Sequence, residues 1–131
     1  MATPLGHCGL VALTVAAVGA CAPATAEQPA QPGEVAAPQV ILNGYRRYNS
    51  ACNHCHGPDG VGSTFAPSLI DEPLPFARFQ EIVQNGSATG TSVMRGFADD
   101  PNLAPYVRDI YAYLAARADG TIGRGRPTLR P

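Results

Sequence analysis

An all-α domain of three main helices joined by Gly- and Pro-rich loops is the fold class this sequence predicts, and three observations predict it. Apolar residues recur at helical spacing in three separate stretches. No stretch of useful length alternates apolar with polar residues, so no strand is expected. Glycine and proline, 14 and 13 of the 131 residues, break the chain between the periodic stretches.

The first helix is expected from Gln39 to about Ala51, where Ile41, Tyr45, Tyr48 and Cys52 fall at helical spacing. Gly44, one turn before Tyr48, offers a place where another backbone can come close. The second helix runs from Phe76 to about Gln84, lined by Phe76, Phe79, Ile82 and Val83. Asn85-Gly86 is expected to stop it as a left-handed cap does. The third spans about Leu103 to Arg117, striped by Leu103, Val107, Ile110 and Leu114, with Pro101 and Pro105 at or near a first turn that tolerates proline. No internal repeat and no βαβ rhythm is visible.

With 45% hydrophobic and 15% charged residues, the chain suits one globular domain with a single core. Nine arginines face ten acidic residues, for a formal net charge of -1, and lysine is absent. That balance excludes the basic stripe that binding to nucleic acid needs.

Residues 1–26 read as a signal peptide. The apolar run from Gly9 to Ala20 is too short to cross a bilayer, and Ala24-Thr25-Ala26 after Pro23 fits small-residue cleavage. The segment before it, MATPLGHC, departs from the usual pattern in lacking Lys and Arg. An alternative is a lipobox, Val18-Gly19-Ala20-Cys21, which would leave a lipoprotein anchored through Cys21. Residues 27–38, with Pro29, Pro32, Gly33 and Pro38, read as a flexible linker. The domain proper is 39–118, a thin core that a bound apolar cofactor would help to fill. The tail 119–131 carries Arg124, Arg126 and Arg130 and no acid after Asp119. It is either a frayed terminus or a segment that folds back over the domain or helps to dock a partner.

The chemistry concentrates in Ser50–Gly60, SACNHCHGPDG. A zinc site would need a second pair of ligands, but Cys8, Cys21 and His7 belong to the leader. A redox dithiol would start a helix after a strand, whereas these cysteines close a helix. Cys52-x-x-Cys55-His56 instead matches covalent attachment of one haem c, with two thioethers and an adjacent imidazole delivered to the iron from the same side. His54, inside the pair, is expected to point away as a surface or tuning residue. Opposite His56 the candidate ligand is Met94, the only methionine besides Met1, expected in the polar loop TGTSVMRGF. His/Met ligation favours electron transfer over chemistry on a bound substrate.

These residues resemble the class I cytochromes c over about Gln39 to Ala118. Gly44 and Tyr48 look like the glycine and aromatic of the family's first helix, and Ile110 and Tyr113-Leu114 look like the positions of the last helix that cross it. Gly57, Pro58 and Gly60 match the turn after the proximal ligand. Pro67 is similar to the proline whose carbonyl holds the haem histidine. The family's usual Met-Pro is replaced by Met94-Arg95. A narrower resemblance, in YNSACNHCHGPDGVGS, MRGF and the Arg-rich tail, is to periplasmic cytochromes that accept electrons from PQQ-dependent alcohol dehydrogenases, including methanol dehydrogenases.

The resemblance implies a periplasmic, monomeric, monohaem electron-transfer protein and no catalytic residues. Its donor would be such a dehydrogenase, and its acceptor a terminal oxidase or another cytochrome. Asn53, His54, Gly62 to Ala66 and Val93 to Phe97 would rim the haem edge. Tyr45, Tyr48, Phe65, Phe79, Phe97 and Tyr113 would be packing or pocket residues, and no particular arginine is selected as a propionate partner. The alternatives are an open-site haem enzyme or sensor and a permanent haem subunit of a dehydrogenase complex.

Overall fold

The computed structural model describes residues 36–128. The leader, Cys8, Cys21 and nearly all of the linker therefore lie outside the described residues. Pro38, counted with the linker above, is instead the first residue of helix α1 (Pro38–Ala51). Proline is tolerated there because an N–H in the first turn has no helical partner to lose. A single-turn helix α2 (Asn53–His56) follows, then α3 (Phe76–Asn85) and α4 (Val107–Ala118).

The crossing of α1 and α4 organises the molecule. A Cβ on Gly44 would fall inside the backbone carbonyl of Asp109 and 2.9 Å from the Cβ of Tyr113, so only glycine lets the helices come this close. The crossing is reinforced on both sides of that contact. The Asn43 side-chain amide donates to the Asp109 carboxylate, and the Arg47 guanidinium lies 3.9 Å from the centre of the Tyr106 ring. Tyr45 and Tyr48 each approach Tyr113 with ring centres 5.6 Å apart.

Helix α3 packs on the other side of α4 through aromatic contacts. Phe76 and Phe79 sit 5.2 and 5.3 Å from Tyr111, whose hydroxyl donates to the Leu74 carbonyl. The core gathers Ile41 and Tyr48 from α1, Phe79 and Val83 from α3, Leu103, and Val107, Ile110, Tyr113, Leu114 and Ala116 from α4. These are largely the helical stripes expected above.

Three expectations change. First, Met94 is not in a loop: strands β1 (Gly86–Thr89) and β2 (Ser92–Arg95) form an antiparallel hairpin, with Ser87 opposite Met94. Its tip is the two-residue connection Gly90-Thr91, with Gly90 at φ +59°, a turn geometry that suits short hairpins. Second, Gly86 does end α3 at a positive φ of 82° that favours glycine, but its ψ of -179° lies outside the left-handed helical well, and the residue begins β1. Third, the last helix is divided. Ala104–Tyr106 is a 3₁₀ turn, and Tyr106, at φ -112° and ψ 14°, precedes the regular helix.

The tail is not frayed over its described part. The Ile122 amide donates to the Ala116 carbonyl at 3.0 Å, Arg117 donates to the Ile122 carbonyl at 3.1 Å, and the Ile122 side chain packs against the core. It folds back over the domain. Among the described residues no helix is long and apolar enough to cross a membrane.

Candidate functional site

The attachment motif is one helical turn. Helix α1 hands over to α2 at Cys52, whose carbonyl accepts from the amides of Cys55 at 3.2 Å and His56 at 2.9 Å. Neither cysteine is in a disulfide; Cys52 is half-buried and Cys55 exposed. Burial, and then the neighbouring Cys55, push the Cys52 thiol up to about 11, so it is neutral at physiological pH.

His56 is buried, and its Nδ1 lies 2.9 Å from the Pro67 carbonyl. A carbonyl can only accept, so Nδ1 carries a proton and Nε2 is the nitrogen left to act as a ligand. An imidazole oriented through its Nδ1, one turn from two cysteine side chains, is the donor set that a covalent haem requires. The residues fit the group.

The segment after His56 is held from many directions. The Gly62 amide donates to the His56 carbonyl at 2.7 Å and the Ser63 hydroxyl donates to that of Cys55. The Tyr48 hydroxyl, from α1, donates to the Gly57 carbonyl at 2.6 Å. The Gly60 carbonyl accepts from the Leu69 amide at 2.8 Å and the Ser68 hydroxyl at 3.2 Å. These last bonds fold the following loop back, and a Ser63-to-Ala66 bond of 2.9 Å tightens it just before Pro67.

Asp59 was not among the residues singled out by sequence, yet it is one of two buried polar side chains in the described structure, His56 being the other. Its Oδ1 accepts from the Tyr113 hydroxyl at 3.3 Å and the Gly125 amide at 2.9 Å; its Oδ2 accepts from Arg124 Nε at 3.2 Å. Burial by itself would raise this carboxyl. The Gly125 amide, Arg124, the charge of Arg117 and the Tyr113 hydroxyl outweigh burial and hold it below its ordinary value. Burial pushes both the Tyr48 and Tyr113 phenols well up, which keeps each a neutral donor. A signal was available in the arginine-rich tail, which has no acid of its own after Asp119 to pair with.

Among the sequence-selected residues, Cys52, Cys55, His56 and Pro67 are thus brought together. Met94 stands on β2, half-buried against the core, and forms no hydrogen bond with the motif among the described residues. His54 is exposed, with its Nδ1 3.2 Å from the Ala51 carbonyl. Tyr48, Phe79 and Tyr113 are core residues, and Tyr45 and Phe97 pack against that core; Phe65, expected as a packing or pocket residue, does not pack in the core and is 74% exposed.

Residues 39–114 match the family described as cytochrome C oxidase, cbb3-type, subunit III. Cytochrome c-553I of Paracoccus denitrificans is 43% identical over 97 residues, covering 70% of this chain and 43% of that protein. Cytochrome c-555 of Methylococcus capsulatus is 33% identical over 103 residues, covering 71% of this chain and 80% of that one. The crystal structure of the c-type cytochrome XoxG from Methylobacterium extorquens AM1 aligns with a TM-score of 0.64 at 45% identity, over 68% of this chain and 57% of that one. The chain therefore spans less than two thirds of the length of c-553I and of XoxG. With a matched family covering more than half its length, and the helices and small hairpin of a class I cytochrome c-like fold, the chain belongs to the c-type cytochromes, electron-transfer proteins that carry covalently bound haem c.

Proposed function

We propose that the protein is a periplasmic, monomeric shuttle with one haem, anchored through Cys52 and Cys55, and with His56 and Met94 as the two axial ligands. The observation that most supports this is the 2.9 Å bond from His56 Nδ1 to the Pro67 carbonyl, which fixes the tautomer and leaves Nε2 to ligate. When bound, haem supplies one-electron exchange between ferric and ferrous iron. The chain's own part is to hold the imidazole oriented, to keep Tyr48 and Tyr113 as packed neutral donors beside the turn, and to present an edge rimmed by Asn53, His54, Gly62 to Ala66 and Val93 to Phe97. A rim of that size suits a brief encounter rather than a permanent complex.

The electron donor we assign is a PQQ-dependent alcohol dehydrogenase, in particular one oxidising methanol, with a terminal oxidase or another cytochrome as acceptor. The narrow sequence resemblance supports this, as does 45% identity to XoxG. Residues 1–26 are assigned as a cleaved export signal. Mass spectrometry of the mature protein tests that reading: an N-terminus at Glu27 with one added haem is expected, and a lipidated Cys21 would replace it.

Stopped-flow mixing of the oxidised protein with a PQQ-dependent methanol dehydrogenase and methanol should reduce the haem within the enzyme's turnover time. No reduction beyond that of an unrelated cytochrome would count against the donor assignment. In the holoprotein, Met94→Ala should abolish the weak red sulfur-to-iron band and allow rapid carbon monoxide binding to the ferrous form. An unchanged ferric spectrum would remove Met94 from the iron.

A further inference from the structure

We propose that residues 119–126 form a strut seated on Asp59, and that Asp59 is a positioning residue which, through that strut, holds the turn and loop orienting His56. The proposal rests on His56 being an axial ligand and goes beyond it, because it gives the tail and an unassigned acid a task.

Three observations carry it. Asp59 is the single non-glycine residue with positive φ among the described residues, at +59°, three positions after His56. An L-residue takes that conformation at a cost, and it persists where surrounding contacts over-determine it. Those contacts are visible: both carboxylate oxygens are used, and their donors come from α4 (Tyr113) and from the tail (Arg124 and Gly125).

The tail is held at a second point as well. Arg117 grips the Ile122 carbonyl, the Ile122 amide reaches Ala116, and Ile122 packs against the core. A segment fixed at 122 and again at 124 and 125 is a brace and not a loose end.

The third observation is the continuity of bonds from Asp59 to His56. The carbonyl of the next residue, Gly60, accepts from Ser68 and Leu69, and Pro67, immediately before them, accepts from His56 Nδ1. On the other side, Tyr48 holds Gly57. Displacing Asp59 would move Gly60 and, with it, the loop that presents the Pro67 carbonyl. A contiguous hydrogen-bonded path of this kind is a physical means for the tail to act on the imidazole 3 residues before its seat.

The test uses the full-length holoprotein and the variants Asp59→Asn, Arg124→Gln and Arg124→Lys, with a chain ending at Ala118 as a fourth. Two quantities are read. Tryptic cleavage after Arg117, followed by mass, reports release of the tail. Exchange of the His56 Nδ1 proton with solvent, followed by NMR through its hyperfine shift, reports the bond to Pro67.

Asp59→Asn is expected to speed cleavage about ten-fold or more, as local opening follows lost contacts, and Arg124→Gln by less. Both variants and the shortened chain should also exchange the His56 proton about ten-fold faster, with Arg124→Lys restoring much of the protection in both readouts. A released tail with unchanged His56 exchange would overturn the positioning role. Unchanged cleavage in Asp59→Asn would overturn the seat itself. Should Asp59→Asn fail to take up haem, Arg124→Gln, altered at an exposed position, and the shortened chain decide between the same outcomes. If His56 does not bind the iron, its proton lacks the hyperfine shift in the unmodified protein, whereas the cleavage readout stands independently.

Discussion

The turn that follows Cys52 and Cys55 and the hairpin that carries Met94 are held very differently. The carbonyls of Cys55, His56, Gly57 and Gly60 each accept a hydrogen bond, and their donors include Tyr48 from α1. Asp59, in the same turn, is gripped from α4 and from the tail. The hairpin is tied at its base, where the Phe97 and Ala98 amides reach the Val83 and Gln84 carbonyls at 2.8 and 3.2 Å, while Val93 beside Met94 is 79% exposed. Local stability follows the density of buried, bonded contacts. In the chain's own contacts the turn after His56 is therefore densely held and the hairpin that carries Met94 sparsely held.

The sharpest way to break this contrast is to separate α1 from α4. Gly44→Ala would drive a methyl into the Asp109 backbone, and backbone has little room to give. A loss of about 3 kcal/mol or more is expected in denaturant unfolding, or no haem uptake at all. A stable Gly44→Ala holoprotein would show that the crossing is not what supports the turn.

Tyr48→Phe is milder, because the ring and its packing against Tyr113 remain while the bond to Gly57 is lost. Leaving that buried carbonyl without its donor should cost about 1–3 kcal/mol, measured as a lower Tm or denaturant midpoint. A similar loss of a hydrogen bond in the hairpin would be felt far less.

Acid offers a graded probe of the same turn. The folded carboxyl of Asp59 is held below its ordinary value of 3.8, so the unfolded chain takes up its proton first as pH falls. The stability it contributes is complete well above 3.8 and is lost as pH drops below that value through the lower folded one. Denaturant titrations from pH 6 to 2 should show this component vanish in Asp59→Asn. An unchanged acid profile in that variant would mean that other carboxylates carry the dependence.

The smallest effect belongs to the hairpin. Val93→Ser, at an exposed strand position, should alter global stability by no more than about 0.5 kcal/mol. A larger change would show that the hairpin is more firmly integrated than its exposure indicates.

Much of this was legible in the order of residues. Ile41, Tyr48, Phe79, Val83, Val107, Ile110 and Leu114 lie at helical spacing, and they are core residues. Gly44 is legible as a place where another backbone can come close, and the structure puts it against Asp109 and Tyr113. The hairpin was not legible, since strands of four residues are too short to display alternation and β1, Gly-Ser-Ala-Thr, has no large apolar side chain. The Gly90-Thr91 tip was the available cue. Asp59 was hidden for another reason: between a proline and a glycine it reads as turn chemistry, and its partners Tyr113, Arg124 and Gly125 are 54, 65 and 66 positions away.

The one-dimensional order of residues determined the chemistry of the site and the helices that flank it, because two thiols, an imidazole and a helical stripe are local patterns that need only neighbours within a turn or two. The Pro67 carbonyl was expected at the histidine through the family resemblance and meets it in the fold, whereas which acid seats the tail, and that the methionine rides on a hairpin, were decided by tertiary structure alone. Those choices depend on groups distant in sequence meeting at hydrogen-bond distance, and such meetings exist only after α1 has closed against α4.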